Sequence, residues 1–348
     1  MKKVHYRNPI SNESIAERLL LPTILIVSLL SLVWFWNESS VKLVGSDSIG
    51  NTVLILGIIL SLILFVPSYL FGLKAHSEKL SKKQLVFNIV TLSVATSIMT
   101  ILVTAIGVAL VSLAFKELTL DRYISSVIVG VYAGLVVYLL VPASININTN
   151  SIVRIFSVVM VCGMLLSMIT STDPLWWQIN FSSLGSLTGP SAKVFNFTLL
   201  LSGMVLITMS FHLLDDIRKL MVSDSNISKS TRINILKGLF IFIGICMAGV
   251  GIFTYAKDPL MHNLSAYSMV MGFGIIIIGL KKILPFIDAT FLVNSYFTLL
   301  VIAICYFLFA RVGYLNLTAF ELLAFGITFS WLVLFVRKIT SLQKINNS

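Results

Sequence analysis

The chain has 348 residues, 57% of them hydrophobic and only 11% charged, with a formal net charge of +11 and a mean hydropathy of +0.98. A soluble domain carries about 25% charged residues to cover its surface, so this composition excludes an ordinary water-facing globule and predicts an all-α polytopic membrane protein. The Lys and Arg residues sit in short clusters between apolar runs, not along one domain face, which excludes a nucleic-acid partner and suits loops beside membrane lipids.

A helix needs about 20 residues at 1.5 Å rise to cross a ~30 Å hydrocarbon core. In chain order the candidate spans are Leu19–Trp36, Thr52–Leu73, Leu85–Phe115, Ile124–Val141, Ile155–Ser171, Phe195–Leu214, Ile235–Tyr255, Ala266–Leu280, Thr290–Ala310 and Thr318–Val336. The first begins behind a polar arm and lacks a small-residue cleavage site, so it is expected to persist as a span and not to be removed as a signal peptide. The third is long, reaching roughly 46 Å at helical rise. No Gly/Pro turn interrupts it, so it reads as one tilted or protruding helix.

Ten spans put both termini on one side. With the N-terminus inside, Lys42, Lys116, Arg122, Lys193, Lys257 and Arg311 fall outside, and the other 19 of the 25 basic residues fall inside. The inner set includes Lys2, Lys3, Arg7, Lys74, Lys79, Arg218, Lys281, Lys282, Arg337 and Lys338. That asymmetry is what membrane insertion selects for cytoplasmic loops. The expected organisation is a cytoplasmic arm over 1–18, a five-helix half over 19–171, an outer loop over 172–194, a second five-helix half over 195–336 and a cytoplasmic tail over 337–348. The halves would be inverted relative to one another, but no matching segments relate them. Abundant Ile, Lys and Asn with short loops suggest a low-GC bacterium and its plasma membrane. Trp34, Trp36, Trp176, Trp177 and Trp331 are expected to anchor span ends at the interface.

Cys162, Cys246 and Cys305 each fall inside an apolar run, so they read as small buried hydrophobes and not as a disulfide framework. Gly130 and Gly134 have the GxxxG spacing of close helix packing, and Asn88 and Asn294 are expected to hydrogen-bond between helices.

Two outer connectors carry unusual text. Thr172–Val194 is rich in Gly, Pro and aromatic residues, and Ala256–Ser265 reads AKDPLMHNLS. Gly185 and Gly189-Pro190 permit tight turns, and Asn196 is placed to satisfy free backbone groups at a helix start. The residues Phe181-Ser182-Ser183-Leu184-Gly185, then Phe195-Asn196 and Gly203, then Gly251-Ile252-Phe253, and finally His262 and Ala266 follow one another across three spans. In that order, from about Pro174 to Pro285, the chain resembles the bacterial membrane family numbered 998 among the domains of unknown function. More distantly it is similar to the group that includes the DRAM and Sfk membrane proteins. Thr254 departs from the pattern, where a Pro would be expected after the Phe. The resemblance covers about a third of the chain and implies a membrane fold without an established reaction.

The same connectors hold the candidate site residues: Asp173, Trp176, Trp177, Asp258, His262, Asn263, Arg311 and Glu321 as ligand contacts. A carboxylate from Asp173 or Asp258, the His262 imidazole and a hydroxyl from Ser182 or Ser183 have the chemistry of a hydrolytic triad. His262 equally suits a lipid headgroup, a pH sensor or a purely structural bond to the facing loop. Glu321 lies three residues into the tenth span, where a charge is costly and needs a partner; Arg311 is the nearest cation in sequence. His212, Asp215 and Asp216 share a helix face, with Arg218 and Lys219 beside them, and read as a self-neutralising helix end. The remaining histidines, His5 and His76, belong to the inner side, so no metal site of three protein ligands is expected outside. No Walker or Rossmann glycine motif occurs, so no nucleotide cofactor is expected and any ATP-driven motor would be a separate ATPase subunit. The leading expectation is a non-enzymatic membrane protein that binds or transports a small amphipath or lipid-like molecule at its outer face. A permease-like or immunity protein with a membrane-protein partner and a lipid-headgroup hydrolase are the alternatives.

Overall fold

The structure, a computed structural model, describes residues 10–75, 80–186, 189–220 and 227–347. The readings that rest on Lys2, Lys3, His5, Arg7, His76 and Lys79 lie outside these residues. Ten long helices occur among the described residues, each apolar and long enough to cross a bilayer: an all-α polytopic membrane protein. The third run is one helix of 33 residues. In a bilayer the helix is the only open-chain structure that satisfies its own backbone, and the helix starts are sealed by short polar side chains at Ser81, Asp121, Asn148, Asp258 and Asp288.

The chain divides into two compact units between Ile147 and Asn148. The first holds α1 (Ile10–Trp34), α2 (Ile49–Ala75), α3 (Lys82–Ala114) and α4 (Arg122–Ile145). Gly130 and Gly134 of α4 meet Ser28, Ile24 and Leu20 of α1 so closely that a Cβ at either would overlap them. Without a hydrophobic drive between helices in lipid, close approach of this kind and interhelical hydrogen bonds supply the cohesion. The bonds are Ser61 Oγ to Ser97 Oγ at 2.7 Å, Asn88 Nδ2 to Tyr69 Oη at 3.3 Å, and the Thr104–Tyr132 hydroxyl pair at 2.7 Å. At one end a two-residue antiparallel ladder pairs β1 (Val41–Lys42) with β2 (Thr119–Leu120), and the Arg122 guanidinium bonds Trp36 O while lying over the Trp36 ring.

The second unit holds α5 (Thr149–Ile169), α6 (Pro190–Leu220), α7 (Ile227–Ile252), α8 (Pro259–Ile283), α9 (Ala289–Phe307, ending in a π turn over Leu308–Val312) and α10 (Leu317–Asn347). The loop expected to separate two halves therefore lies inside this unit. The reason is local: α5 is joined to α6 by reciprocal bonds between Ser167 and Ser191 and by Gly163 seated against Thr198. Gly203 of α6 meets the backbone of Gly244 and Ala248 on α7. Phe240, Phe273, Phe291, Trp331 and Phe335 pack as one aromatic cluster. Trp331 departs from the interfacial role expected of it. It is 3% exposed, and its Nε1 donates to Ser295 Oγ at 2.8 Å, so burial satisfies the one polar atom of the ring.

Short connectors fix alternate helix directions, so the second unit has two distinct ends. At the end where α6 and α10 finish, Asp215 pairs with Arg218 at 3.1 Å, as expected of a self-neutralising helix terminus, and Asp216 accepts from Thr149 Oγ1. There too Asp288, the N-cap of α9, is paired with Lys338. The hydrogen bond from Lys338 holds the Asp288 carboxyl below its ordinary value. A depressed carboxylate pKa contributes stability that is fully present above the unfolded value and is lost as pH falls through the folded one. Asp288→Asn is thus expected to melt below the parent near pH 6, by a difference that shrinks as pH falls below the ordinary carboxylate range. The difference stays small because the pair is part-exposed. Thermal melts over a falling pH series check this.

Candidate functional site

At the opposite end of the second unit the chain between α5 and α6 folds into two short 3-10 turns, Trp176–Gln178 and Phe181–Gly185. Asp173 starts the segment by accepting from Leu175 N at 2.8 Å, a local Asx turn. Phe181 is its anchor, lying edge-on to Phe195 of α6 and tilted against Phe325 of α10 and Trp176. Gly189, with φ of 113°, then turns the chain into α6, a backbone angle that favours glycine. The helix begins at Pro190, earlier than the apolar run indicated. Asn196 is accordingly not at a helix start. It lies inside α6, and its Nδ2 donates to Gly185 O at 2.9 Å, satisfying a carbonyl of the preceding turn.

Neighbouring elements hold this cap at three further points. Glu321 of α10 accepts from Phe181 N through Oε2 at 2.6 Å, and the Ser182 N–H bonds the same carboxyl. Asn316 Nδ2 reaches Trp177 O at 3.5 Å, and Ala256 N donates to Ser186 Oγ at 3.2 Å. The expected Glu321–Arg311 ion pair is not formed among the described residues. Arg311 is exposed on the π turn that ends α9, while Glu321 faces two free N–H groups at the start of a 3-10 turn, which a carboxyl oxygen satisfies directly.

Of the residues considered for a triad, Asp173, Asp258, His262 and Ser183 are used locally. Ser183 Oγ donates to Asn180 O at 2.7 Å and lies 3.2 Å from Trp176 O. His262 and Asn263 are not in a loop: Asp258 caps α8 by accepting from Met261 N at 3.0 Å, with Pro259 in its first turn, so both residues belong to the opening of that helix. The His262 ring, 3% exposed, pairs through Nδ1 with Phe253 O at 2.7 Å and stands edge-on to Tyr255. Among the described residues it therefore bonds its own α7–α8 connector and not the Thr172–Val194 loop. Neither Ser182 nor Ser183 hydrogen-bonds His262 among the described residues, so the nucleophile–base contact that defines a triad is not made.

His262→Ala is expected to lower stability by about 1–2 kcal/mol, because the Phe253 carbonyl and the packed ring are both lost. Ser183→Ala removes a bond made only to backbone acceptors and should cost about 1 kcal/mol. Denaturation of the purified protein in mild detergent measures both.

Two residues of this end were not singled out by their sequence. Asn180 and Thr318 are buried, and Asn180 Oδ1 and Thr318 Oγ1 have no hydrogen-bond partner among the described residues. Thr318 is one turn before Glu321 on α10, and Asn180 immediately precedes the N–H that Glu321 accepts from. Around them Leu175, Trp177 and Ile179 are exposed. Buried polar atoms are rarely left unpaired, so the cap combines an exposed apolar rim with an unspent acceptor beneath it. No sequence signal reveals such an atom, because its isolation is a property of the packing.

No family model matches the chain, and neither does any curated protein or solved structure.

Proposed function

We propose that the protein is a non-enzymatic membrane protein that binds or moves a small amphipath or lipid-like molecule at the capped end of its second unit. The observation that carries this reading is the unpaired Asn180 Oδ1, buried beside the exposed apolar surface of Leu175, Trp177 and Ile179. An amphipath has the matching parts: an apolar body for the rim and a hydroxyl or ammonium donor for the buried acceptor. A hydrolytic role has less support, since the Ser183 hydroxyl and the His262 imidazole are each turned onto backbone groups and neither Ser182 nor Ser183 bonds the imidazole among the described residues.

In this reading the cap faces away from the cytoplasm of a bacterial plasma membrane, and both chain termini face inward. The support is charge. Arg154, Arg218, Arg232, Lys237, Lys281, Lys282, Arg337 and Lys338 lie towards the uncapped end of the second unit, against Lys193, Lys257 and Arg311 at the capped end, as the positive-inside rule requires. The likeness of Pro174–Pro285 to membrane family 998 is part of the same proposal. It gains support from what the shared residues do: Phe181, Gly185, Asn196, Gly203, Gly251 and His262 are cap and packing residues, as expected of a common structural module.

A photo-crosslinking residue at Trp177 in native membranes is expected to capture a discrete small amphipath, and Asn180→Ala to reduce that capture. The same group at the lipid-exposed Leu21 of α1 should report bulk lipid only. Identical labelling at both positions would contradict the reading.

A further inference from the structure

Along α9 and α10, at the end opposite the cap, lies an open groove of about 350 Å³, within the range of ligand pockets. Its floor is Phe291 and Trp331, and its sides include Asn294 from α9 and Leu334, Arg337 and Lys338 from α10. The α10 positions 331, 334, 337, 338 and the α9 positions 291, 294 follow helical i, i+3, i+4 spacing, so one stripe of each helix faces the other.

The chemistry of the groove changes with depth. Lys338, at its mouth, is paired with Asp288, which sets the two helices in register and uses one of the two cations. Arg337 beside it is exposed and has no ion-pair partner among the described residues. Asn294 lies six residues into α9, about 9 Å deeper than Asp288 at helical rise. Its side chain is exposed within a membrane span and is not in the interhelical hydrogen bond expected of it among the described residues, although an amide facing hydrocarbon alone is unfavourable. By the same rise Leu334 lies about 6 Å and Trp331 about 10 Å below Lys338, so apolar surface flanks the amide. A cation at the mouth, with an amide and apolar surface beneath it, matches a phospholipid's phosphate, ester carbonyl and acyl chain.

We propose that this groove is a binding site for an anionic phospholipid, with Arg337 on the phosphate, the Asn294 amide donating to an ester carbonyl, and one acyl chain over Leu334 and Trp331. The preference for an anionic headgroup follows from the uncompensated Arg337 and from Lys281 and Lys282 towards the same end of the unit, each basic residue near a surface adding to the attraction. The site shares no residue with the cap and does not depend on the function proposed for it.

Native mass spectrometry of the full chain in mild detergent, titrated with phosphatidylglycerol and with phosphatidylcholine, tests the site. The parent is expected to bind phosphatidylglycerol roughly fivefold more tightly, the scale of one cation at a surface. Arg337→Gln should abolish that preference without lowering the melting temperature, since its side chain is exposed. Asn294→Ala should weaken both lipids alike, and Leu334→Trp, which fills the groove, should remove the specific adduct. Equal affinity of the parent for both lipids, or an undiminished preference in Arg337→Gln, overturns the proposal. Complete displacement of the lipid by inorganic phosphate also overturns it, because the acyl chain would then contribute nothing.

Discussion

Gly203→Leu is expected to prevent the second unit from assembling, with a destabilisation of at least about 3 kcal/mol. The reason is that Gly203 on α6 and Gly244 on α7 pack backbone against backbone. A Cβ at Gly203 would meet Gly244 O and the Ala248 N–H, and one at Gly244 would meet Gly203 O in return. Flexible side chains yield to an intruding methyl group, whereas two helices that touch through their main chains must separate. Separation here would also strain the contact of Gly251 with Asn196 O one end further along the same helix pair, and thus the position of Asn196 under the cap. Gly274→Ala is the control, because a Cβ at Gly274 meets nothing within 4 Å. It should express, extract and melt like the parent. Retained folding yield and melting temperature in Gly203→Leu would show that the α6–α7 crossing is looser than described.

The second large effect is expected at Glu321. Its carboxyl accepts from the backbone N–H of Phe181 and Ser182, the first donors of the 3-10 turn that carries Phe181 against Phe195 and Phe325. Glu321→Ala leaves those donors without a partner in a part-buried site, at a cost of roughly 2–3 kcal/mol. The loss is local: the cap should open while the six helices remain packed. Hydrogen exchange at the Phe181 and Ser182 amides is expected to accelerate about 30-fold or more, the equivalent of 2 kcal/mol in opening free energy. Glu321→Gln keeps one carbonyl acceptor and should fall between. Unchanged exchange in Glu321→Ala would remove Glu321 from its place as the clamp, and an Arg311→Gln variant should leave the cap untouched in every case.

What the sequence carried and what it concealed divide along a physical line. Ten spans were legible because hydrocarbon thickness demands a minimum apolar length, and the 33-residue α3 was legible because nothing in it could turn the chain. The Gly130–Gly134 contact was legible because close packing in lipid has a spacing. Helix ends were not, where helix and apolar run do not coincide. The α8 helix begins at Pro259, seven residues before the expected span, and so takes in His262 and Asn263. Asp258-Pro259 is itself a start signal, a capping carboxylate followed by proline at the first helical position, and Gly189-Pro190 marks the α6 start in a similar way. Both are overlooked when only hydropathy is followed. Side-chain partners were the least legible. Asp173, Asp258, His262 and Ser183 have the right types for a triad, but each is consumed by a backbone group of its own connector or helix start. Trp331 has the interfacial residue type and an interior position, because Ser295 supplies the acceptor its indole needs.

The proposed orientation places the cap outside the membrane and the cationic groove on its cytoplasmic face, at opposite ends of one helical unit. Single cysteines at Trp177 and at Lys282, both exposed, in a chain whose Cys162, Cys246 and Cys305 are replaced by Ala, test it through a membrane-impermeant maleimide. Labelling of the residue 177 position in intact cells, with labelling of position 282 only after permeabilisation, is the predicted result. The reverse pattern, or labelling of both positions in intact cells, would contradict it.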